Sequence, residues 1–103
     1  MNLTSFLQDK QLTIALRGEI DHHSAQTLRR EIDAQIDARL PELLTLDFSG
    51  VTFMDSSGVG LILGRSRRIT GLGGKLSVQN VSPAVKKMLD IARIPCVTGG
   101  DKP

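Results

Sequence analysis

The sequence predicts an α/β fold: a small mixed sheet of four to five strands, an N-terminal antiparallel hairpin, and helices packed on the sheet. Three observations lead there. Two short alternating runs at the N-terminus are separated only by Asp9-Lys10, which reads as a hairpin. Strand-like runs then alternate with runs of helical period, and that order requires parallel strands joined by crossovers. The run over residues 43–48 is nearly continuous in apolar residues, as expected of a strand covered on both faces.

The elements follow in order. Residues 3–8 alternate weakly, and residues 11–17 alternate well, with Leu12, Ile14 and Leu16 on one face. Residues 18–23 read as a loop. A helix is predicted from Ser24, because Ala25, Leu28, Ile32, Ile36 and Leu40 recur at steps of three and four. Its other face carries Arg29, Arg30, Glu31, Asp33, Asp37 and Arg39, and Pro41 stops it by excluding helical geometry at the residue before. After the third strand, "SGVTFMDSS" reads as a loop and residues 57–70 as a helix. "GLGG" is a turn. Residues 75–81 form a strand around Leu76 and Val78. Ser82-Pro83 is a helix start, with serine as N-cap and proline at the first helical position. Val85, Met88, Leu89 and Ala92 then form a buried stripe. Residues 95–97 fit a last short strand, and the tail "TGGDKP" is expected to be loose.

Composition bounds the function. A length of 103 residues suits one domain, here 1–103, and with three Phe and no Trp or Tyr its core must be aliphatic. A net charge of +2, from 13 basic and 11 acidic residues, does not point to direct nucleic-acid or membrane binding. The single cysteine, Cys96, cannot close an internal disulfide, and the cytoplasm is the expected compartment. No apolar run approaches the ~20 residues of a membrane span, and "MNLTSFLQDK" lacks the pattern of a signal peptide.

The chemistry concentrates in "FMDSSGVGLILG", residues 53–64. It lies on a loop leaving the carboxyl end of a parallel strand, the usual functional edge of such sheets. It also opens a helix, whose free N–H groups and partial positive charge favour an anion such as phosphate. Asp55, Ser56 or Ser57 can cap that helix for ~1 kcal/mol. A plain cap does not call for Gly58, Gly60 and Gly64, each costing ~1 kcal/mol against alanine within a helix. Such glycines permit close approach, and Gly60 and Gly64 are expected to let the helix lie close to the sheet. Known fingerprints fail: the third glycine of G-x-G-x-x-G falls one place late, the P-loop lysine is missing, and Asp55 stands where G-x-S-x-G needs glycine. What remains is an exposed serine hydroxyl able to accept a phosphoryl group. Asp21 is expected beside it if the second and third strands are neighbours.

Other clusters read more plainly. Adjacent His22 and His23 point apart and have no Cys or His partner at ligand spacing, so no metal site is expected. They are expected to shape the loop and start the helix. "RSRR" (residues 65–68) and Lys86-Lys87 read as solvated faces. A nucleophilic serine enzyme is disfavoured, because no histidine sits in a recognisable base arrangement.

"GEIDHH" (residues 18–23), "LDFSGVTFMDSSGVGLILGR" (46–65) and "SPAVKKMLD" (82–90), in this order, resemble the anti-sigma factor antagonists, bacterial single-domain members of the STAS family. The resemblance runs from about residue 3 to 97. "MDSSG" marks the family, while "DHH" and "SPAVKK" favour its sporulation branch, acting on the anti-sigma factor of sigma F, over the general-stress branch. The family pattern carries a further C-terminal helix, where this sequence ends at Pro103. The resemblance implies a regulatory binding protein with no catalytic residues and no cofactor. Its unphosphorylated form would bind an anti-sigma factor that is also a serine kinase, and so free the sigma factor. That kinase would phosphorylate Ser56, and a serine phosphatase would reverse it. Asp21, Asp55, Ser57, Gly58 and Val59 would belong to the partner-binding surface. The alternative is an antagonist of the general-stress branch, or a constitutive STAS scaffold or adaptor domain in which the serines only cap.

Overall fold

The structure, a computed structural model, describes residues 3–99. Seven elements follow one another: β1 (Leu3–Gln8), β2 (Gln11–Ile20), α1 (His22–Arg39), β3 (Leu43–Met54), α2 (Ser56–Gly71), β4 (Lys75–Gln79) and α3 (Pro83–Ile91). The sheet order is β1-β2-β3-β4. β1 and β2 are antiparallel, and β2, β3 and β4 are parallel. The predicted mixed sheet is therefore present, with four strands. Residues 95–97 make no strand; Val97 accepts from the Val81 N–H at 3.1 Å, and a lone parallel bridge joins Val81 to Thr98.

Two parallel crossovers that step the same way along a sheet put their helices on the same face, because such crossovers are right-handed. Here α1 joins β2 to β3 and α2 joins β3 to β4, and the two helices touch. The core lies beneath them. Leu12, Ile14, Leu16 and Ile20 of β2 are buried, with Leu44, Leu46 and Phe48 of β3. Leu28, Ile32 and Ile36 of α1 and Leu61, Ile62 and Ile69 of α2 close over them. This corrects the reading of residues 43–48 as covered on both faces. The run alternates: Leu43, Thr45 and Asp47 stay half-buried on the opposite face, where Thr13, Thr45 and Ser77 stand in register.

Several boundaries move, and β4 stops at Gln79 rather than at residue 81. β2 runs past Arg17 to Ile20, since Gly18 at φ 88° takes up an irregularity in register that a side chain would resist. α1 starts at His22 rather than Ser24. β3 runs on to Met54, so most of the predicted loop "SGVTFMDSS" is strand, paired with β2 alone beyond Asp47. Other expectations hold. α1 ends before Pro41 as expected, but Leu40 leaves the predicted apolar stripe: it is exposed and caps the helix in the left-handed region, its N–H reaching Ile36 O at 2.8 Å. Ser82 caps α3 through Val85 N at 3.2 Å, with Pro83 next. Val85 and Leu89 are buried there, while Met88 and Ala92 are half-buried. Of the tail expected to be loose, Thr98 and Gly99 are held, Gly99 N bonding Val81 O at 3.0 Å; Gly100 and beyond lie outside the described residues.

Candidate functional site

Adjacent parallel strands that end level with each other deliver two helix starts side by side. Ile20 and Met54 are in register, and Asp55 N donates to Ile20 O at 3.1 Å. Each strand then turns into a helix through an aspartate. Asp21 is the N-cap of α1: its carboxylate accepts the Ser24 N–H at 2.9 Å, and the Ser24 hydroxyl accepts the Asp21 N–H at 3.0 Å. That Ser24 hydroxyl also donates to Glu19 O at 2.9 Å. The Ser24 N–H, with smaller help from the Ser24 hydroxyl and His23, holds the Asp21 carboxyl below its ordinary value. Asp55 is the N-cap of α2, accepting the Ser57 N–H at 2.8 Å. Both carboxylates are thus spent on orphan backbone donors.

That arrangement leaves Ser56 as the first helical residue of α2, exposed. Among the described residues its hydroxyl has no hydrogen-bond partner. Ser57 is half-buried. Gly58 is buried, and a Cβ there would run into Cγ and Sδ of Met54. The glycine lets the first turn of α2 sit on the end of its own strand. Val59 is half-buried against the core, and Phe53, just before the turn, is 52% exposed. The expected neighbours Asp21, Asp55, Ser56, Ser57, Gly58 and Val59 are therefore gathered at one edge of the sheet.

Gly60 and Gly64 behave differently from expectation. A Cβ at either would meet nothing within 4 Å. They do not hold the helix to the sheet; they leave its outer surface bare. At Gly60 this opens a cleft of about 340 Å³ between the first halves of α1 and α2. His22, Ala25 and Arg29 line it from α1, and Ser57, Gly60 and Leu61 from α2. The sequence marks His22 and Gly60 as unusual, but only the pairing of the two helices brings Arg29 to them.

A second correction concerns "RSRR". Arg65 is not on a solvated face but buried, with its Nε 2.7 Å from Asp33 Oδ1. The N–H is turned off that line, so the contact is ionic rather than an aligned hydrogen bond, while Nη1 reaches Leu61 O at 3.3 Å. Burial pushes the guanidinium below its ordinary value and Asp33 opposes the shift. Arg68 forks onto Asp37 at 2.7 and 2.8 Å. Arg65 falls four residues after Leu61 and four before Ile69, on the buried stripe, and that spacing was the available signal. Of the other basic pair, Lys86 bonds Asp90 at 2.8 Å and Lys87 is exposed.

The chain as a whole has relatives among known proteins. The STAS domain model matches residues 6–97. The chain belongs to the STAS domain family. The anti-sigma F factor antagonist of Paenibacillus polymyxa is 41% identical over 81 residues, which span 79% of this chain and 69% of that protein. The anti-sigma factor antagonist SpoIIAA in its unphosphorylated form superposes with a TM-score of 0.82 at 30% identity, covering 97% of this chain and 89% of that one. The phosphorylated form of the Bacillus cell fate determinant SpoIIAA gives 0.76 at 29% identity, covering 97% and 92%. The mixed sheet with its opening hairpin is thus the STAS fold, and this STAS domain shares it with relatives named for antagonising anti-sigma factors. Among the described residues no helix is long and apolar enough to cross a membrane, and no group of three His, Cys, Asp or Glu is placed to hold a metal ion.

Proposed function

We propose that this STAS domain is an anti-sigma factor antagonist of the sigma F, sporulation type, controlled by phosphorylation of Ser56. In the unphosphorylated state it binds an anti-sigma factor that is also a serine kinase, and the sigma factor is released. The kinase transfers a phosphoryl group from ATP to the Ser56 hydroxyl, binding ends, and a serine phosphatase restores the hydroxyl. The chain is the substrate and the switch, without catalysis of its own, and it works in the cytoplasm.

The observation that carries this reading is the free, exposed Ser56 hydroxyl between two engaged neighbours, Asp55 and Ser57. The physics of a switch follows. Phosphorylation adds about −1.5 to −2 charge at neutral pH. The N-terminus of α2 tolerates that charge, so the fold survives. Asp55 and Asp21 lie at the same edge, so the charge does not disappear into a neutral background. A partner seated over Ser56 would have to bury a hydrated anion where it had met a small hydroxyl. Leaving such a group unpaired costs several kcal/mol, and ~3 kcal/mol already weakens binding more than a hundredfold. Asp21, Ser57, Gly58 and Val59 complete the contact surface, Gly58 by keeping the helix start low against Met54.

The test is incubation with the anti-sigma factor of the same organism and ATP, read by intact mass and peptide mapping. One added phosphate on Ser56, absent from Ser56→Ala, is the expected result. A phosphate on Ser57 instead would move the switch, and no phosphate at all would leave a constitutive scaffold.

A further inference from the structure

The cleft between α1 and α2 is not used by the switch, yet it opens beside it, through Ser57. Its charge is unbalanced. Arg65 and Arg68 nearby are paired with Asp33 and Asp37. Arg29 is exposed and, among the described residues, has no ion-pair or hydrogen-bond partner. It also lies close enough to Arg65 to disfavour that group's charge. The acidic residues at this edge, Asp21 and Asp55, are engaged in capping. The floor is apolar, from Ala25 and Leu61, and the bare flank of Gly60 leaves room above it. Around the floor stand donors: the Arg29 guanidinium, the Gln26 amide and the Ser57 hydroxyl.

We infer that this cleft receives an acidic side chain of the protein partner, its aliphatic stem on Ala25, Leu61 and Gly60 and its carboxylate on Arg29. The inference rests on the functional reading above and names the chemistry of the partner's contact. A glutamate suits the site better than a shorter acid, since the charge sits beyond an apolar floor. Arg29 gives the carboxylate a cation that no described residue pairs with, so its ion pair displaces no partner among them. The site also sharpens the switch. A phosphate on Ser56 lies one residue from the Ser57 wall, and it repels the same carboxylate that Arg29 attracts.

The experiment measures binding of the anti-sigma factor from the same organism to the wild-type chain and to Arg29→Glu, Arg29→Gln, Arg29→Lys, Gly60→Leu and Ser56→Glu. Melting temperatures are recorded for each. Arg29→Glu should weaken binding about 30-fold and Arg29→Gln about tenfold, while Arg29→Lys stays within about threefold. Gly60→Leu, which fills open space in a helix, should keep or raise its melting temperature and lose about tenfold in affinity. The salt dependence seen for the wild type should shrink in Arg29→Gln. Wild-type affinity in Arg29→Glu and Gly60→Leu, with Ser56→Glu still unable to bind, would overturn the cleft and leave the switch intact. A wild-type chain that fails to bind would overturn both.

Discussion

The two ends of the α1–α2 pair are built on opposite plans. At the far end the helices are bound to each other by charge, Arg65 to Asp33 and Arg68 to Asp37, with Arg65 buried. At the near end each helix spends its aspartate on its own first turn, and nothing polar crosses between them in the bonds described. The far end fixes the distance between the helices. Among the described residues, the near end is left with a hydroxyl without a hydrogen-bond partner, a cleft and a cation without an ion pair. Charged residues of the same types thus tie two helices together or cap one, depending on whether they face each other or their own backbone.

Arg65→Ala tests this division most strongly. Removing one partner of a buried pair leaves Asp33 without its main counter-ion, and urea unfolding should show a loss of about 2–3 kcal/mol, reduced from the fully buried case because Asp33 keeps 22% exposure and Arg68 lies 3.6 Å away. Phosphorylation of Ser56 below the new midpoint should be unchanged. If both fall together, the two ends are not independent.

The glycines give a smaller and two-signed test. Gly58→Ala forces Met54 aside, and overpacking of about 1–3 kcal/mol should outweigh the ~1 kcal/mol gain in helix propensity. Gly60→Ala enters open space and should stabilise by up to about 1 kcal/mol. Chemical denaturation of the pair reads both signs, and equal shifts would remove the distinction drawn between these two positions. Asp55→Ala should cost ~1 kcal/mol by thermal unfolding, since the Ser57 N–H loses its acceptor.

The smallest effect is on pH. Asp21 titrates below its ordinary 3.8 in the folded state, so its contribution is complete above that value and fades as pH falls through the folded one. In an acid series Asp21→Asn should lose part of the wild-type drop in stability below about pH 4. Asp47 behaves in the same sense: burial raises its carboxyl, but hydrogen bonds from Asn80 and Ser49 outweigh it. An unaltered acid limb in Asp21→Asn would mean that the cap survives without the charge.

These contrasts also explain what the sequence discloses and what it withholds. Local signals were legible: Ser82-Pro83 as a helix start, Pro41 as a stop, Leu12, Ile14 and Leu16 as a core face. Asp55-Ser56-Ser57 was legible as a helix start with a spare hydroxyl, because capping depends on near neighbours. The extension of β3 to Met54 was hidden, since Ser49 and Gly50 look like turn residues while strand pairing with β2 overrides them. Arg65 was hidden inside a charge run, its partner Asp33 lying on another helix. The role of Gly60 needed the position of α1, which no local pattern supplies.

The central claim is that one phosphate at the start of α2 decides binding. Calorimetric titration of the anti-sigma factor with the chain, unmodified and phosphorylated on Ser56, measures it directly. The expected result is a Kd raised more than a hundredfold, with the two forms sharing one circular-dichroism spectrum. Equal affinities for the two forms would contradict it.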